Sequence, residues 1–138
     1  MQEVVIAGAA RTAMGGFQGV FNTVSAAQLG GAAIRAALAD AGASTVDELL
    51  MGCVLPAGQG QAPARQAGFA GGLGEEVPAT TLNKMCGSGM KATMIAFDQI
   101  ALGHAQTMIA GGMESMSNAP YLLPAMRGGA RIGHQGAI

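Results

Sequence analysis

Short apolar runs alternate along this 138-residue sequence with longer segments of helical character. The runs are brief and closed by glycine or proline, which is typical of buried strands. We predict strands within residues 3–10, 48–56, 78–85 and 105–112. Because each pair of strands is separated by a helical segment, the sequence predicts an α/β domain with a mostly parallel, mixed sheet covered by helices.

The helical segments carry recognisable start and stop signals. Ser25 and Gln28 form a capping-box pattern before the first helix, which Gly42 closes. A second, shorter helix is predicted within residues 62–74, with a proline near its first position. A third is predicted over residues 87–102 and ends at a glycine.

The third predicted helix is apolar around most of its circumference. A helix of that kind is buried, yet a four-stranded domain of this size does not easily enclose one. Charged residues make up only 11% of the sequence, against about 25% in ordinary soluble proteins. We therefore expect a further layer, from a partner chain or from sequence beyond Ile138, and association of this chain with itself or with that sequence.

Composition excludes several functional classes. A net charge of -1 with seven scattered basic residues provides no basic stripe for a nucleic acid. No apolar stretch approaches the roughly 18 residues of a membrane span, and the N-terminus lacks the positive charge of a secretion signal. Two cysteines without a secretion signal favour free thiols in a reducing compartment, and the cytoplasm is the expected location.

Cys86 lies in "NKMCGSGMKA", between a predicted strand and a predicted helix. The first turn of a helix has unpaired N–H groups and a positive dipole end, which stabilise a thiolate. The same groups can hold the oxyanion formed when a thioester carbonyl is attacked. Gly87 and Gly89 allow a sharp turn with room for an acyl group. The alternative is that Cys86 is one more small buried residue.

A competing interpretation uses the glycines themselves. Gly87, Gly89 and Ala92 match the G-x-G-x-x-A pattern of a dinucleotide-binding turn, and Glu114 lies near the spacing of a ribose-binding acid. The pattern follows the third strand rather than opening the domain, which weakens the match. Glu114 could instead cap a turn, and this structural role is favoured.

Four segments occur in a fixed order, and together they are far more specific than any glycine pattern. They are "AARTAMGGFQG", "GQGQAPARQA", "NKMCGSGMKA" and "AGGMESMSNAPYLLP". They resemble segments of the thiolase family, particularly the acetyl-CoA C-acetyltransferases. The resemblance covers nearly the whole chain and implies the N-terminal part of a layered thiolase-like fold. Residues 1–118 would form the incomplete α/β domain, and residues 119–138 would begin a loop region that covers coenzyme A.

The resemblance also implies a chemistry. Cys86 would be the nucleophile that accepts an acyl group from acyl-CoA, with its own N–H as one oxyanion donor. The acyl enzyme would then react with a second acetyl-CoA to give acetoacetyl-CoA, or run in reverse as thiolysis. Acyl-CoA and CoA would be substrates, with no permanently bound cofactor, and the family implies a homo-oligomer, a dimer or tetramer.

The sequence departs from the family by stopping at Ile138. The later G-H-P, N-E-A-F and C-x-G motifs have no counterpart, so we expect this chain alone to be incomplete for catalysis. The alternative is a truncated, non-catalytic fragment that acts only in assembly. His104 follows the helix that begins beside Cys86 and would be roughly 24 Å away, too far to act as its base. His134 lies in the irregular tail, where no motif supports a catalytic role.

The remaining candidates are expected to be structural. Cys53 would share a sheet edge with Cys86 if their strands are parallel neighbours, but the resemblance assigns it no role. Arg127 and Arg131 resemble the start of the CoA-covering region, where cations could meet phosphates, although a solvated pair is an equal alternative. The methionines are predicted to pack in the core, and no cysteine or histidine spacing suggests a metal site.

Overall fold

The computed structural model describes residues 3–138 and contains a parallel sheet of three strands in the order β2-β1-β3. This confirms the predicted α/β class. In chain order the helices and strands are α1 (Ala26–Ala41), β1 (Glu48–Gly52), α2 (Pro63–Gly71), β2 (Ala79–Leu82), α3 (Ser88–Ala101) and β3 (Met108–Gly112).

The sheet separates two apolar clusters. Successive side chains of a strand point to opposite faces, and β1 shows this directly. Leu49 and Met51 belong to the cluster built with α1 and α2, whereas Leu50 belongs to the cluster built with α3. The central strand β1 is therefore buried on both faces, as expected for a parallel sheet covered by helices.

Small residues let the helices on the first face pack closely. A Cβ atom added at Gly31 of α1 would lie 2.5 Å from the Cβ atom of Ala70 in α2. One added at Gly71 would lie 2.5 Å from the Ile34 side chain. The high glycine and alanine content of the sequence therefore has a packing role here, since larger side chains would force α1 and α2 apart.

The predicted helix boundaries agree with the structure. Ser25 caps α1 with both halves of the capping box formed to Gln28, and Gly42 closes the helix at φ 62°. α2 begins at Pro63, and the Thr81 hydroxyl accepts a hydrogen bond of 2.9 Å from the N–H of Ala64. A side chain of β2 thus satisfies an unpaired N–H at the start of α2.

The predicted first strand is wrong, because residues 3–10 form no strand. Val5 and Ile6 are 73% and 84% exposed, and the later part of the segment, at Gly8 and Ala9, lies against α1 instead. The N–H of Ala9 donates to Asp40 at 3.0 Å, and Gly8 lies close to the backbone of the last turn of α1. A β-branched run becomes a strand only when another strand pairs with it, and this segment has no ladder partner in the structure.

The outer side of α3 is exposed. Met90, Met94 and Phe97 are 73%, 53% and 52% accessible, while Ala92 and Ala96 pack on the sheet. The helix is therefore covered on its sheet side only, and the further layer expected from the sequence remains a prediction.

Residues 113–138 contain two short 3-10 turns, Met116–Asn118 and Pro124–Gly128, and no further helix or strand. The tail turns back on itself, since Leu122 and Ile138 exchange backbone hydrogen bonds of 2.8 and 3.0 Å. The proposed boundary after residue 118 remains a prediction. Across residues 3–138, no helix combines the length and apolar character that crossing a bilayer requires.

Candidate active site

The carboxyl ends of the three parallel strands meet at one edge of the sheet, and both cysteines follow strands there. Cys86 lies in the turn between β2 and α3 and is exposed, whereas Cys53 follows β1 and is buried. The predicted strand pairing is correct, because β1 and β2 are parallel neighbours. The small-buried-residue alternative for Cys86 is wrong, since its side chain is accessible.

Side chains hold the turn that carries Cys86. The Ser88 hydroxyl is buried, donates to the Met85 carbonyl at 2.6 Å and accepts from the Lys84 N–H at 2.9 Å. The Asn83 side-chain oxygen accepts from the Met85 N–H at 2.9 Å. Met85 itself adopts the left-handed conformation, with φ 50°, which a non-glycine residue holds only when its surroundings fix it.

Close backbone approach brings the start of α3 onto the sheet. A Cβ atom added at Gly52 would lie 2.5 Å from that of Ser88, and the Cα atom of Gly89 would lie 3.4 Å from a Cβ added at Gly112. The last residue of β1 is therefore a glycine because the first turn of α3 lies directly against it, while the same turn is in van der Waals contact with the end of β3. Cys86, immediately before this turn, stands beside the positive end of the helix.

Cys86 opens onto a cleft of about 890 Å³. Its walls are residues 10–17, part of α1, the end of β1 with the loop that follows, the start of α3 and residues 112–117. The cleft is largely apolar and large enough for an acyl group and part of its carrier. A hydrogen bond holds residues 10–17 at the cleft, since the N–H of the next residue, Gln18, donates to the Ser117 hydroxyl at 2.8 Å.

Glu114 lies two residues after β3, and its carboxylate is used within the protein. It accepts from the N–H of Val54 at 2.8 Å and of Leu55 at 3.2 Å, and the Cys53 thiol lies 3.6 Å from it. The favoured structural role of Glu114 is therefore what the structure shows. The dinucleotide interpretation needs Glu114 to bind a ribose hydroxyl, but both of its carboxylate oxygens already accept hydrogen bonds from backbone N–H groups.

The two thiols occupy different environments. Burial, and then the nearby Glu114 carboxylate, raise the pKa of the Cys53 thiol above its ordinary value. Gln59 donates to the Cys53 sulfur at 3.4 Å, which opposes that change only in part. Cys53 is thus kept protonated and inaccessible, whereas Cys86 faces the cleft.

Sequence reasoning assigned no role to Asn83 or to the conformation of Met85. A usable signal existed: an asparagine directly after a strand often accepts a hydrogen bond from the N–H two residues on, which forms an Asx-turn. The left-handed Met85 had no signal, because methionine is not a residue that favours positive φ.

Comparison with known proteins gives the family. Residues 4–137 match the family described as "Thiolase, N-terminal domain". The chain belongs to the thiolase family. The resemblance drawn from the four sequence segments is therefore confirmed.

Curated relatives agree with this assignment. The thiolase chain is 54% identical over 125 residues to acetyl-CoA acetyltransferase B, mitochondrial, of Xenopus laevis, which covers 89% of this chain and 30% of that protein. It is 52% identical over 136 residues to an acetyl-CoA acetyltransferase of Pseudomonas aeruginosa, and the match covers 97% of this chain and 35% of that protein. For acetyl-CoA acetyltransferase 2 of Arabidopsis thaliana the identity is 49%, covering 99% and 34%. The chain thus spans about a third of the length of these relatives.

The other polar candidates do not join Cys86 in this thiolase chain. His104 lies beyond the far end of α3, with its ring 3.0 Å from the Gln99 side chain, so it stays separated from Cys86 by the length of the helix. His134, Arg127 and Arg131 are exposed in the tail and do not line the cleft. Within residues 3–138, no three histidine, cysteine or acidic side chains are arranged to hold a metal ion.

Proposed function

We propose that this chain carries the acyl-accepting cysteine of an acetyl-CoA acetyltransferase, and that Cys86 is that residue. One observation carries the proposal: an exposed thiol lies immediately before α3 and opens onto a cleft of about 890 Å³. The names of relatives about half identical in sequence support the substrate class.

In the first step, the Cys86 thiolate attacks the carbonyl carbon of acetyl-CoA. A carbon–sulfur bond forms to Cys86, and the carbonyl oxygen becomes an oxyanion that N–H groups at the start of α3 stabilise. When the tetrahedral species collapses, the bond to the CoA sulfur breaks and CoA leaves as a thiol after taking up a proton. The acetyl group then remains on Cys86 as a thioester.

In the second step, a second acetyl-CoA loses a proton from its α-carbon. That carbon attacks the carbonyl of acetyl-Cys86, a carbon–carbon bond forms, and the Cys86 sulfur leaves. The products are acetoacetyl-CoA and the free cysteine. In the reverse direction, CoA cleaves acetoacetyl-CoA by thiolysis through the same acetyl-cysteine.

Both steps need proton transfers. The two histidines of the described residues lie away from Cys86, one beyond the far end of α3 and one in the tail. We therefore propose that the activating base and the carbon-acid base come from the motifs that the sequence lacks, and that this chain needs them for a full catalytic cycle.

Further family properties extend the proposal. Coenzyme A would bind as substrate, with no permanent cofactor, and Arg127 and Arg131 would approach its phosphates. The active assembly would be a homo-oligomer, or an association with segments that carry the family's later motifs, in the cytoplasm. The exposed tail arginines and the uncovered side of α3 are consistent with such contacts.

The test is selective modification of the thiols. Iodoacetamide should alkylate Cys86 faster than Cys53 in the folded chain, because Cys86 is exposed and Cys53 is buried with a raised pKa. In a separate, unalkylated sample of the complete enzyme, incubation with acetyl-CoA should leave an acetyl group on the peptide that contains Cys86, as read by mass spectrometry.

Matched variants control this test. Cys86→Ser should remove acetylation, and Cys53→Ser should leave it unchanged. Equal, slow alkylation of both thiols in the folded chain would count against an activated Cys86. Acetylation of Cys53 in place of Cys86 would reject the assignment of the site.

A further inference from the structure

The hydrogen-bond ladders of the sheet stop before the loops that surround Cys86. The last bond between β1 and β2 runs from the N–H of Cys53 to the carbonyl of Leu82, at 3.0 Å. The last between β1 and β3 runs from Met113 to Gly52, at 2.9 Å. Beyond these points, backbone pairing no longer fixes one strand end relative to the next.

Two side chains continue the connection where the ladders end. Glu114, after β3, accepts from the N–H groups of Val54 and Leu55 in the loop after β1. The carbonyl of Val54 in turn accepts from the side-chain amide of Asn83, after β2, at 3.2 Å. The ends of all three strands are therefore joined in one chain of hydrogen bonds.

This series of hydrogen bonds ends beside Cys86, the proposed nucleophile. The side-chain oxygen of Asn83 accepts from the N–H of Met85, the residue before Cys86, at 2.9 Å. Met85 is held in the left-handed conformation, which costs free energy unless neighbouring groups enforce it. Loss of the Asn83 bond would leave Met85 held on its carbonyl side by Ser88 but not at its N–H. We expect Cys86 then to shift relative to the first turn of α3.

We propose that Glu114 and Asn83 are positioning residues for Cys86, acting in series through the loop at Val54 and Leu55. Glu114 fixes this loop, the loop orients the Asn83 amide, and Asn83 holds Met85 so that the thiol stays beside the start of α3. Neither residue is hydrogen-bonded to the Cys86 thiol. Glu114 acts through the loop, and the loop acts through Asn83. The proposal rests on the proposed role of Cys86 as nucleophile.

The experiment is a double-mutant cycle read by the rate of Cys86 alkylation with iodoacetamide. Glu114→Gln replaces one of two acceptor oxygens with an amide donor, and Asn83→Ala removes both hydrogen bonds of that side chain. We expect each variant to slow alkylation of Cys86 about tenfold, because the reacting thiolate is stabilised only while the sulfur lies beside the first turn of α3. The double variant should also be slower by about tenfold, since residues acting in series are not additive.

A graded variant separates the two ends of Asn83. Asn83→Asp keeps an acceptor for the Met85 N–H and loses the donor to Val54, so its alkylation rate should lie between those of wild type and Asn83→Ala. The matched controls are Glu48→Gln, at the opposite end of β1, and Asn22→Ala, an exposed residue in the loop before α1. Both should alkylate at the wild-type rate.

Global loss of structure is measured in the same samples. Cys53 should remain slow to alkylate in each variant, and each Cys86 rate is divided by its value in the urea-unfolded chain. If Glu114→Gln unfolds the protein, the alkylation rates of the two Asn83 variants test the proposal by themselves. Wild-type rates in both of these, or two single effects that multiply to about a hundredfold in a folded double variant, would overturn the proposal.

Alkylation needs no coenzyme A, so this result is separable from the proposed function. If Cys86 of the complete enzyme takes no acetyl group from acetyl-CoA, while this chain shows the non-additive cycle, the acyltransferase proposal is rejected and the positioning network is retained. If Cys86 is acetylated but the Asn83 variants are alkylated at the wild-type rate, the acyltransferase proposal is retained and the positioning network is rejected.

Discussion

Gly52 determines how closely α3 approaches the sheet. It ends β1 directly beneath Ser88, and a Cβ atom there would come within 2.5 Å of the Ser88 Cβ and 2.8 Å of its backbone carbon. Backbone at that distance cannot rotate away as a flexible side chain can, so the start of α3 would have to move. Because Cys86 lies two residues before α3, this single glycine also affects the position of the thiol.

We expect Gly52→Ala to lower the free energy of unfolding by about 1–3 kcal/mol, the usual cost of overpacking. Urea titration measures this directly. Gly136→Ala is the control, since a Cβ atom at Gly136 meets nothing within 4 Å, and its effect should stay within about 0.5 kcal/mol. Equal stability of the two variants would show that α3 is not held as closely as described.

The Cys53 thiol predicts a dependence of stability on pH. Burial and Glu114 raise its pKa in the folded chain above the ordinary value of 9.0. The unfolded thiol therefore ionises first as pH rises, so the stabilisation is fully present below pH 9.0 and is lost above it. Urea midpoints should fall more steeply above that pH in wild type than in Cys53→Ala. Parallel curves would contradict the raised pKa.

At the level of elements, α2 shows what local signals predict and what they leave out. Pro63 indicated the start of the helix correctly. The cap does not come from a neighbour in sequence, because Ala62 has no capping side chain and Thr81 of β2 supplies the acceptor for Ala64. Local sequence therefore predicts where α2 begins, but its N-terminal cap comes from Thr81, which is close only in the folded chain.

Thr81→Val should remove this cap with little change in volume. We expect a loss of about 1 kcal/mol in the free energy of unfolding, the typical effect of deleting an N-terminal cap. Thr80→Val is the matched control, since Thr80 is the adjacent residue of β2, is exposed and contacts Glu48 at the surface. Comparable losses in both variants, measured by urea titration, would mean that the Thr81 hydroxyl does not cap α2.

The failed strand at residues 3–10 has the opposite cause. Its sequence carries the β-branched residues of a strand, yet the segment contacts α1 through Gly8 and Ala9 and pairs with no other strand. Strand formation depends on a partner strand that is often distant in sequence, whereas a capping box such as Ser25–Gln28 is complete within four residues.

Across residues 3–138, large apolar side chains are exposed in several regions. Met90, Met94 and Phe97 lie on the outer side of α3, Val5 and Ile6 lie in the N-terminal segment, and others lie in the loop before α1 and in the tail. Exposure on this scale is unusual for a protein that acts as a monomer. The apolar circumference of α3 and the low charge of the sequence predicted this uncovered surface.

We expect the 138-residue chain to associate in solution, with a sedimentation coefficient that rises with concentration. Replacing Met94 and Phe97 together by glutamate should shift the chain toward monomer, because charge on the exposed side of α3 opposes apolar contact. Lys91→Glu, a charge change without loss of apolar area, is the control. A concentration-independent monomer in the wild type would refute the prediction.

The sequence by itself determined the helices, three of the four predicted strands, the parallel arrangement and the location of Cys86 between β2 and α3. These follow from periodicity, caps and short connections, which are complete within a few residues. Only the tertiary structure decided that Glu114 and Asn83 join the strand ends, that Thr81 caps α2 and that residues 3–10 form no strand but contact α1 at Gly8 and Ala9. Each of these depends on which distant groups meet to satisfy a hydrogen bond, and no local pattern records that.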